Sequence, residues 1–362
     1  MPDSLFTPLS LRGTELRNRI AVSPMCQYSA PDGYATDWHH VHLGSRAVGG
    51  AALVVTEATA VSPAGRISPR DLGIWSDDHA DALEDTVAFV EDHGAVPGIQ
   101  LAHAGRKGST DPPWDGGEPI PTDRGGWEVL GPTEAPYPRR ESDPQPTTRM
   151  SVDDIERVTE QFRLAAERAR DVGFEVAEVH AAHGYLLHEF LSPVTNDRDD
   201  AYGGSFESRT RFVREVTEAV REAWPDDAPV FVRISATDWL PDRPSWDVED
   251  SARLAPRLAD AGADLIDVSA GGIHPEQQVP DAGPGYQIPY AERVGDATDV
   301  AVGAVGGITR AEQADQIVRN GRADLALVGR EHLRNPYFAL EAAHALGVDV
   351  AWPEQYGRGR FG

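Results

Sequence analysis

The sequence predicts an α/β protein, a (β/α)8 TIM barrel forming a single domain over residues 1–362. Three observations predict it. Eight short apolar strand candidates alternate with amphipathic helical stretches, the pattern of parallel βα units. The 362 residues exceed a minimal barrel of roughly 250, leaving about 100 for insertions and tails. Polar residues able to do chemistry collect where the strand candidates end, at the face where barrel enzymes work. No GxGxxG opens a helix after the first strand, which disfavours an open doubly wound sheet.

In chain order, Leu9-Ser-Leu-Arg-Gly-Thr-Glu-Leu16 reads as two short strands around a glycine turn. This N-terminal β-hairpin is expected to close the barrel bottom. Strands are expected at 19–24, 52–58, 96–102, 175–180, 230–235, 264–269, 300–305 and 325–329. Helical patterns occupy 37–48, 79–92, 152–172, 207–223, 248–261, 310–319 and 336–345. A long insertion after strand 3, residues 108–150, is rich in Pro, Gly and Asp. Its Trp114 and Trp127 argue against disorder and for packing over the barrel mouth. Residues 346–362 form a C-terminal tail.

Composition narrows the classes. A hydrophobic content of 40% supports one large core, and no run of 18 apolar residues suggests a spanning helix. The N-terminal Met1-Pro-Asp-Ser-Leu-Phe6 lacks the basic and apolar regions of a secretory signal, so a cytoplasmic location is the default expectation. The single cysteine, Cys26, excludes an intramolecular disulfide and a four-Cys cluster. The 59 acidic against 33 basic residues give a net charge of −26. Such a field repels nucleic acid and anionic membrane. The acids are spread along the chain and Lys107 is the only lysine, an acidic composition of the haloarchaeal type, suited to a salt-rich cytoplasm.

Each strand end carries its own candidates. Strand 1 runs into Ser23-Pro24-Met25-Cys26-Gln27-Tyr28, where Pro24 ends the ladder and Cys26 can face the mouth or serve as a small core residue. Strand 3 ends Gln100-Leu-Ala-His103-Ala-Gly-Arg-Lys107. The Gln100 amide suits a heterocycle edge, His103 reads as a structural imidazole, and Lys107 is either functional or solvent-exposed. After strand 4, His180-Ala-Ala-His183-Gly-Tyr185 brings two imidazoles, able to donate to a substrate oxygen, and a phenol able to deliver a proton. Arg233, inside strand 5, needs an anion: a cofactor, or an acid on a neighbouring strand. Gly306-Gly307 after strand 7 and Gly329-Arg330 after strand 8 read as a phosphate cradle, Arg330 adding bidentate recognition. A metal-dependent hydrolase built on His180 and His183 lacks a third ligand. No carboxylate pair suggests glycoside hydrolysis.

These residues carry a resemblance. The chain resembles the old yellow enzyme family of FMN-dependent ene-reductases, and more narrowly its bacterial branch with a thiol beside the flavin ("thermophilic-like"). The matching stretches are Ser23–Tyr28, Glu57-Ala58, Gln100–Lys107, His180–Pro193, Asn196–Ser205 and Phe206–Phe212, with both glycine sites. The resemblance spans essentially the whole chain.

It implies FMN as cofactor, with NADPH or NADH as reductant. Ser23, Pro24, Met25 and Cys26 would line the flavin, and Ala58 and Gln100 its pyrimidine side. Arg233 would meet the electron-rich N1/O2 region, and Gly306, Gly307, Gly329 and Arg330 the phosphate. Hydride would pass from the nicotinamide to the flavin and on to the β-carbon of an α,β-unsaturated carbonyl compound. His180 and His183 would clamp the carbonyl oxygen beside Tyr28, and Tyr185 would protonate the α-carbon. A non-catalytic flavin-binding protein is the alternative. The tail Gln355-Tyr-Gly-Arg358 resembles one that enters a neighbouring subunit's site, implying a homo-oligomer, dimer or tetramer, with Arg358 binding substrate there. Gly307 stands where relatives often carry a larger residue, so looser phosphate packing is expected. No nucleic-acid or membrane partner is implied.

Overall fold

The computed structural model describes residues 3–139 and 143–361. Three residues of the insertion, 140–142, and the terminal residues 1, 2 and 362 lie outside the described residues. The chain opens with the expected hairpin, β1 (Leu9–Leu11) antiparallel to β2 (Thr14–Leu16). The barrel then begins with β3 (Ile20–Val22), helix α1 (Asp37–Val48) and β4 (Leu53–Ala60). Helices α2 (Asp77–Asp81) and α3 (Glu84–Asp92) lead to β5 (Val96–Ala102). The insertion follows and contributes β6 (Val129–Gly131) and β7 (Thr147–Arg149), which pair in parallel. The barrel resumes with α4 (Val152–Asp171), β8 (Val176–Ala181), α5 (Leu186–Leu191), α6 (Phe206–Arg209), α7 (Arg211–Ala223) and β9 (Val230–Ser235). Helix α8 (Val248–Asp260), β10 (Leu265–Ser269), α9 (Ile288–Gly295), β11 (Ala301–Val305), α10 (Ala311–Arg319) and β12 (Leu325–Val328) close it. Helices α11 (Arg330–Arg334) and α12 (Phe338–Ala345) end the fold.

The eight barrel strands close in the order β10-β11-β12-β3-β4-β5-β8-β9, all parallel, so the predicted TIM barrel is the fold. The strands read as unbroken apolar runs because both faces are buried. Helix α4 shows why the outer layer forms. Ser151 and Asp154 cap it reciprocally, and Ile155, Val158, Phe162, Ala165, Ala166 and Ala169 form a buried stripe at helical spacing. Burying Phe162 alone contributes roughly 1.5–3 kcal/mol.

Inside the barrel, Leu11 and Leu16 of the hairpin pack with Val96, Val176, Phe231, Leu265 and Leu325 and plug the end where the strands begin. Alternation then lifts successive side chains toward the mouth. Phe231, Arg233 and Ser235 share one face of β9; Leu265, Asp267 and Ser269 share the facing side of β10 in register.

Two expected helices are broken. The 79–92 pattern divides at Ala82–Leu83, and the 207–223 pattern divides at Thr210, where φ/ψ stays helical but the chain turns.

Candidate active site

Strand β8 delivers His180 into the barrel in register with Arg233 of β9. The chain then turns sharply: His183 has φ +58° and Gly184 has φ +72°. This left-handed pair swings His183 and Tyr185 back over the strand end. The ring centroids of His180 and His183 lie 5.3 Å apart at 78°, and those of His180 and Tyr185 5.1 Å apart at 67°.

The turn is held from several sides. The His183 amide donates to Ser235 Oγ at 2.9 Å, and Ser235 Oγ donates to the Gly271 carbonyl at 2.8 Å. The Gly184 amide donates to His188 Nδ1 at 2.8 Å, and His188 Nε2 lies 3.0 Å from the buried Asp238 carboxylate. His183 Nε2 shares a 2.7 Å hydrogen bond with Ser269 Oγ.

Electrostatics fix the protonation states. Burial, then the Arg233 cation, hold both imidazoles well below the ordinary histidine range. His180 Nδ1 accepts the Ala182 amide at 3.4 Å, so the neutral ring carries its proton on Nε2. Burial, then Cys26, Tyr28 and Asp71, push the Tyr185 phenol well up, so it keeps its proton.

The loop after β3 supplies the facing arm. Tyr28 has φ +50°, its hydroxyl bonds the Cys26 thiol, and Trp114 of the insertion meets its ring edge-on at 5.5 Å. Burial, then Asp71 and Glu57, raise the Cys26 thiol, which stays protonated. The arm is anchored by Glu57, whose Oε2 accepts the Gln27 amide at 2.9 Å and whose Oε1 meets His39 Nε2 at 3.1 Å. His39 Nδ1 accepts the Thr36 amide at 3.0 Å, so the ring donates to Glu57 through Nε2.

Beneath the mouth runs a buried polar layer. Gln100 Nε2 donates to Glu178 Oε1 at 2.7 Å, and Arg233 Nε lies 3.1 Å from Asp267 Oδ2. Glu178 Oε2 and both Asp267 oxygens meet no fixed donor. Burial and Asp267 push the Glu178 carboxyl up, and its proton supplies the hydrogen bond to Asp267. Both readings offered for Arg233 therefore meet: it has its strand-to-strand acid, yet its terminal nitrogens hydrogen-bond no described residue.

Beside this layer a cleft of about 670 Å³ gathers Met25, His183, Gly306, Gly307, Gly329 and Arg330. Gly306 and Gly307 have φ +129° and +64°. A side chain at Gly307 would press on the Gly283 carbonyl at 2.9 Å. The glycine lets two backbone segments meet. Arg330 makes no ion pair with any described residue, in a chain with a large excess of acids. A free guanidinium at a helix start beside a glycine cradle suits a phosphate, and the inward Arg233 suits an electron-rich ring. The residues present fit FMN.

Comparison with known proteins agrees over the whole fold. Residues 4–348 match the NADH:flavin oxidoreductase / NADH oxidase family. The chain belongs to this family, that of old yellow enzyme. It is an oxidoreductase that uses FMN and a reduced nicotinamide. The NADPH dehydrogenase of Geobacillus sp. (strain WCH70) is 46% identical over 361 residues, covering 99% of each chain. That of Bacillus subtilis (strain 168) is 42% identical over 362 residues, covering 99% of this chain and 100% of its own. Among solved structures, morphinone reductase in complex with tetrahydroNAD superposes with TM-score 0.76 at 27% identity, covering 97% of this chain and 93% of its own. The old yellow enzyme homologue from Zymomonas mobilis gives TM-score 0.78 at 25% identity, covering 97% and 94%.

Within this family member, the sequence-predicted residues fall into three groups. His180, His183, Tyr185, Cys26 and Tyr28 form the arms just described. Met25, Gly306, Gly307, Gly329 and Arg330 line the cleft, while Gln100 and Arg233 lie in the layer below. Ala58 shares a small internal cavity with Asp71 and Tyr185, and Ser23, its amide bonded to Val328 of the last strand, lies close to Gly329. Arg358 stands apart, exposed on the tail. Sequence reasoning missed Ser235, Ser269, Asp267, Asp238 and His39. Parity was the available signal for three of them: Ser235 is two residues beyond Arg233, and Asp267 and Ser269 share one face of β10. Trp127 packs under the Arg66 guanidinium at 4.8 Å and donates to the Ala64 carbonyl at 3.1 Å. His103 is structural as expected, its Nδ1 accepting the Gly105 amide at 3.2 Å.

Proposed function

We propose that this chain is an ene-reductase of the thiol-containing branch, taking electrons from NADPH and reducing the C=C bond of α,β-unsaturated carbonyl compounds. The observation that carries the reading is the pairing of two neutral imidazoles with a protonated phenol at one strand end. Bound FMN supplies the hydride relay. His180 donates through Nε2 to the substrate oxygen, with His183 beside it, and this bonding strengthens as negative charge grows on that oxygen. Tyr185 holds a proton for the α-carbon. Cys26, kept neutral and bonded to Tyr28, packs as a thiol and does not attack. The names of the bacterial relatives favour NADPH over NADH.

The test is an absorbance spectrum of purified protein, anaerobic reduction by NADPH, and reoxidation by cyclohexenone. His180→Ala and His183→Ala are each expected to slow reoxidation about 10²–10³-fold. Wild-type reoxidation no faster with cyclohexenone than in buffer alone refutes the reading.

The same proposal covers setting and assembly. The spread of acids supports a salt-rich cytoplasm, and no helix among the described residues is long and apolar enough to cross a membrane. The tail turn Glu354–Gly359 rests on α12 through Tyr356 and Tyr337, whose hydroxyls lie 3.3 Å apart, leaving Arg358 exposed for a second copy's mouth. Arg358→Ala should raise KM for the enone while flavin content is retained; unaltered kinetics count against a shared site.

A further inference from the structure

Lys107, the only lysine in the chain, ends a short turn (Gly105–Lys107) directly after β5. Its Nζ donates to the His183 carbonyl at 2.8 Å and to the Gly272 carbonyl at 3.2 Å. Both acceptors sit in left-handed backbone, at φ +58° and +98°. A histidine holds that conformation only where its surroundings over-determine it. Ser235 and His188 grip the turn from the barrel side, and Lys107 grips it from the opposite rim. The same ammonium lies 4.9 Å from the Tyr185 ring centroid and 5.3 Å from that of Tyr137 in the insertion.

We propose that Lys107 is a positioning residue for proton delivery: it ties the His183 turn to the Gly272 loop and stabilises the phenolate that Tyr185 becomes. The inference rests on Tyr185 being the proton donor. In that step the phenol O–H bond breaks, a C–H bond forms at the substrate α-carbon, and the O–H electron pair stays on the phenol oxygen. Water later returns the proton. The Cys26 thiol and the phenols of Tyr28 and Tyr137 around Tyr185 stay uncharged, and the new anion is opposed by burial first and by the Asp71 carboxyl. A cation over the ring face counters them, and its attraction grows when the ring gains a full charge.

The groups facing Lys107 come from several elements. Burial dominates; Glu189 of α5 favours its charge, Arg139 of the insertion and the adjacent Arg106 oppose it, and the Cys26 thiol after β3 stays neutral. His180 of β8 and His183 of the turn after it face it as neutral rings, beside the phenols of Tyr185 and Tyr137. The balance brings the ammonium down to about 8. Its charge is therefore present below pH 8 and fades above it, and the two hydrogen bonds weaken with it.

One lysine makes the test direct. Holoprotein carrying 13C-labelled lysine gives a single lysine side-chain spin system, expected to titrate near pH 8. Cyclohexenone reoxidation of the reduced wild type should decline through the same pH. Lys107→Met should lower the rate about tenfold below pH 8, the worth of roughly 1.4 kcal/mol, and show no inflection there. Lys107→Arg should recover most of the rate, also without the inflection. A lysine signal titrating above pH 10, or a methionine variant with the wild-type rate and profile, overturns the proposal. If the methionine variant fails to fold, the coincidence of the lysine titration with the wild-type rate profile still decides. A wild type that does not reduce cyclohexenone at all sinks the ene-reductase reading instead.

Discussion

Replacing Gly184 by alanine probes the turn on which the proposed chemistry depends. Gly184 has φ +72°, and a left-handed backbone costs alanine roughly 1–2 kcal/mol. Space adds to this. The new Cβ would stand 2.2 Å from the Gly272 carbonyl oxygen, 2.7 Å from its carbon and 2.9 Å from Ile273 Cα. All three are backbone atoms and cannot rotate aside. Reaching even 3.0 Å from the oxygen requires the two loops to part by about 0.8 Å. Both are tethered, Gly184 to His188 and Gly272 to Lys107, so His183 and Tyr185 must move with them. A displacement near 1 Å of reacting groups costs about 10²-fold in rate. Gly184→Ala should therefore slow cyclohexenone reoxidation about 100-fold. Flavin content should persist, because the glycine cradle lies at other strand ends. Stopped-flow reoxidation with the flavin-to-protein absorbance ratio reads both. A variant within threefold of wild type refutes the claim that the turn places the catalytic groups.

Other perturbations follow from the same geometry. Arg233→Met leaves Asp267 buried without its cation and should lower stability by about 3–5 kcal/mol and release flavin; adding Asp267→Leu should restore thermal stability but not flavin binding, and recovery of both argues against a cofactor role for Arg233. Because burial keeps His180 and His183 neutral, kcat/KM for cyclohexenone should show no inflection near the ordinary histidine value of about 6.5, and such an inflection would contradict the neutral pair. Folded-state values depressed below the unfolded one mean stability is fully present above pH 6.5 and falls with pH below it; His42 at about 3 and His103 at about 4 extend that loss downward, which acid-unfolding midpoints will read. Glu57→Leu orphans the Gln27 amide and the His39 ring, and should cost about 1–3 kcal/mol while speeding alkylation of Cys26; unchanged thiol reactivity would remove Glu57 as the anchor.

The strand set was readable because parallel strands buried on both faces leave unbroken apolar runs, and α1 was predicted to its end residues. The break at Ala82–Leu83 had no local signal, since both residues keep helical φ/ψ. Pairing between Val129–Gly131 and Thr147–Arg149 joins segments flanking a Pro-rich stretch and follows from tertiary contact alone. In the site, motif residues were visible by type, but the state of the Cys26 thiol was not: its protonation is a product of burial. Lys107 could not be resolved between function and solvent until its two carbonyl partners, in loops distant in sequence, were placed. The close approach at Gly307 was not legible because the Gly283 carbonyl it faces comes from the loop before α9.

The leucine plug at the hairpin end leaves the cylinder with one door. Under the proposed function, nicotinamide and alkene enter and depart by the same route and compete for it. Turnover is then a strict alternation, each visitor vacating before the next arrives. Double-reciprocal plots at several fixed alkene concentrations should run parallel, and excess NADPH should compete with the alkene for the reduced enzyme.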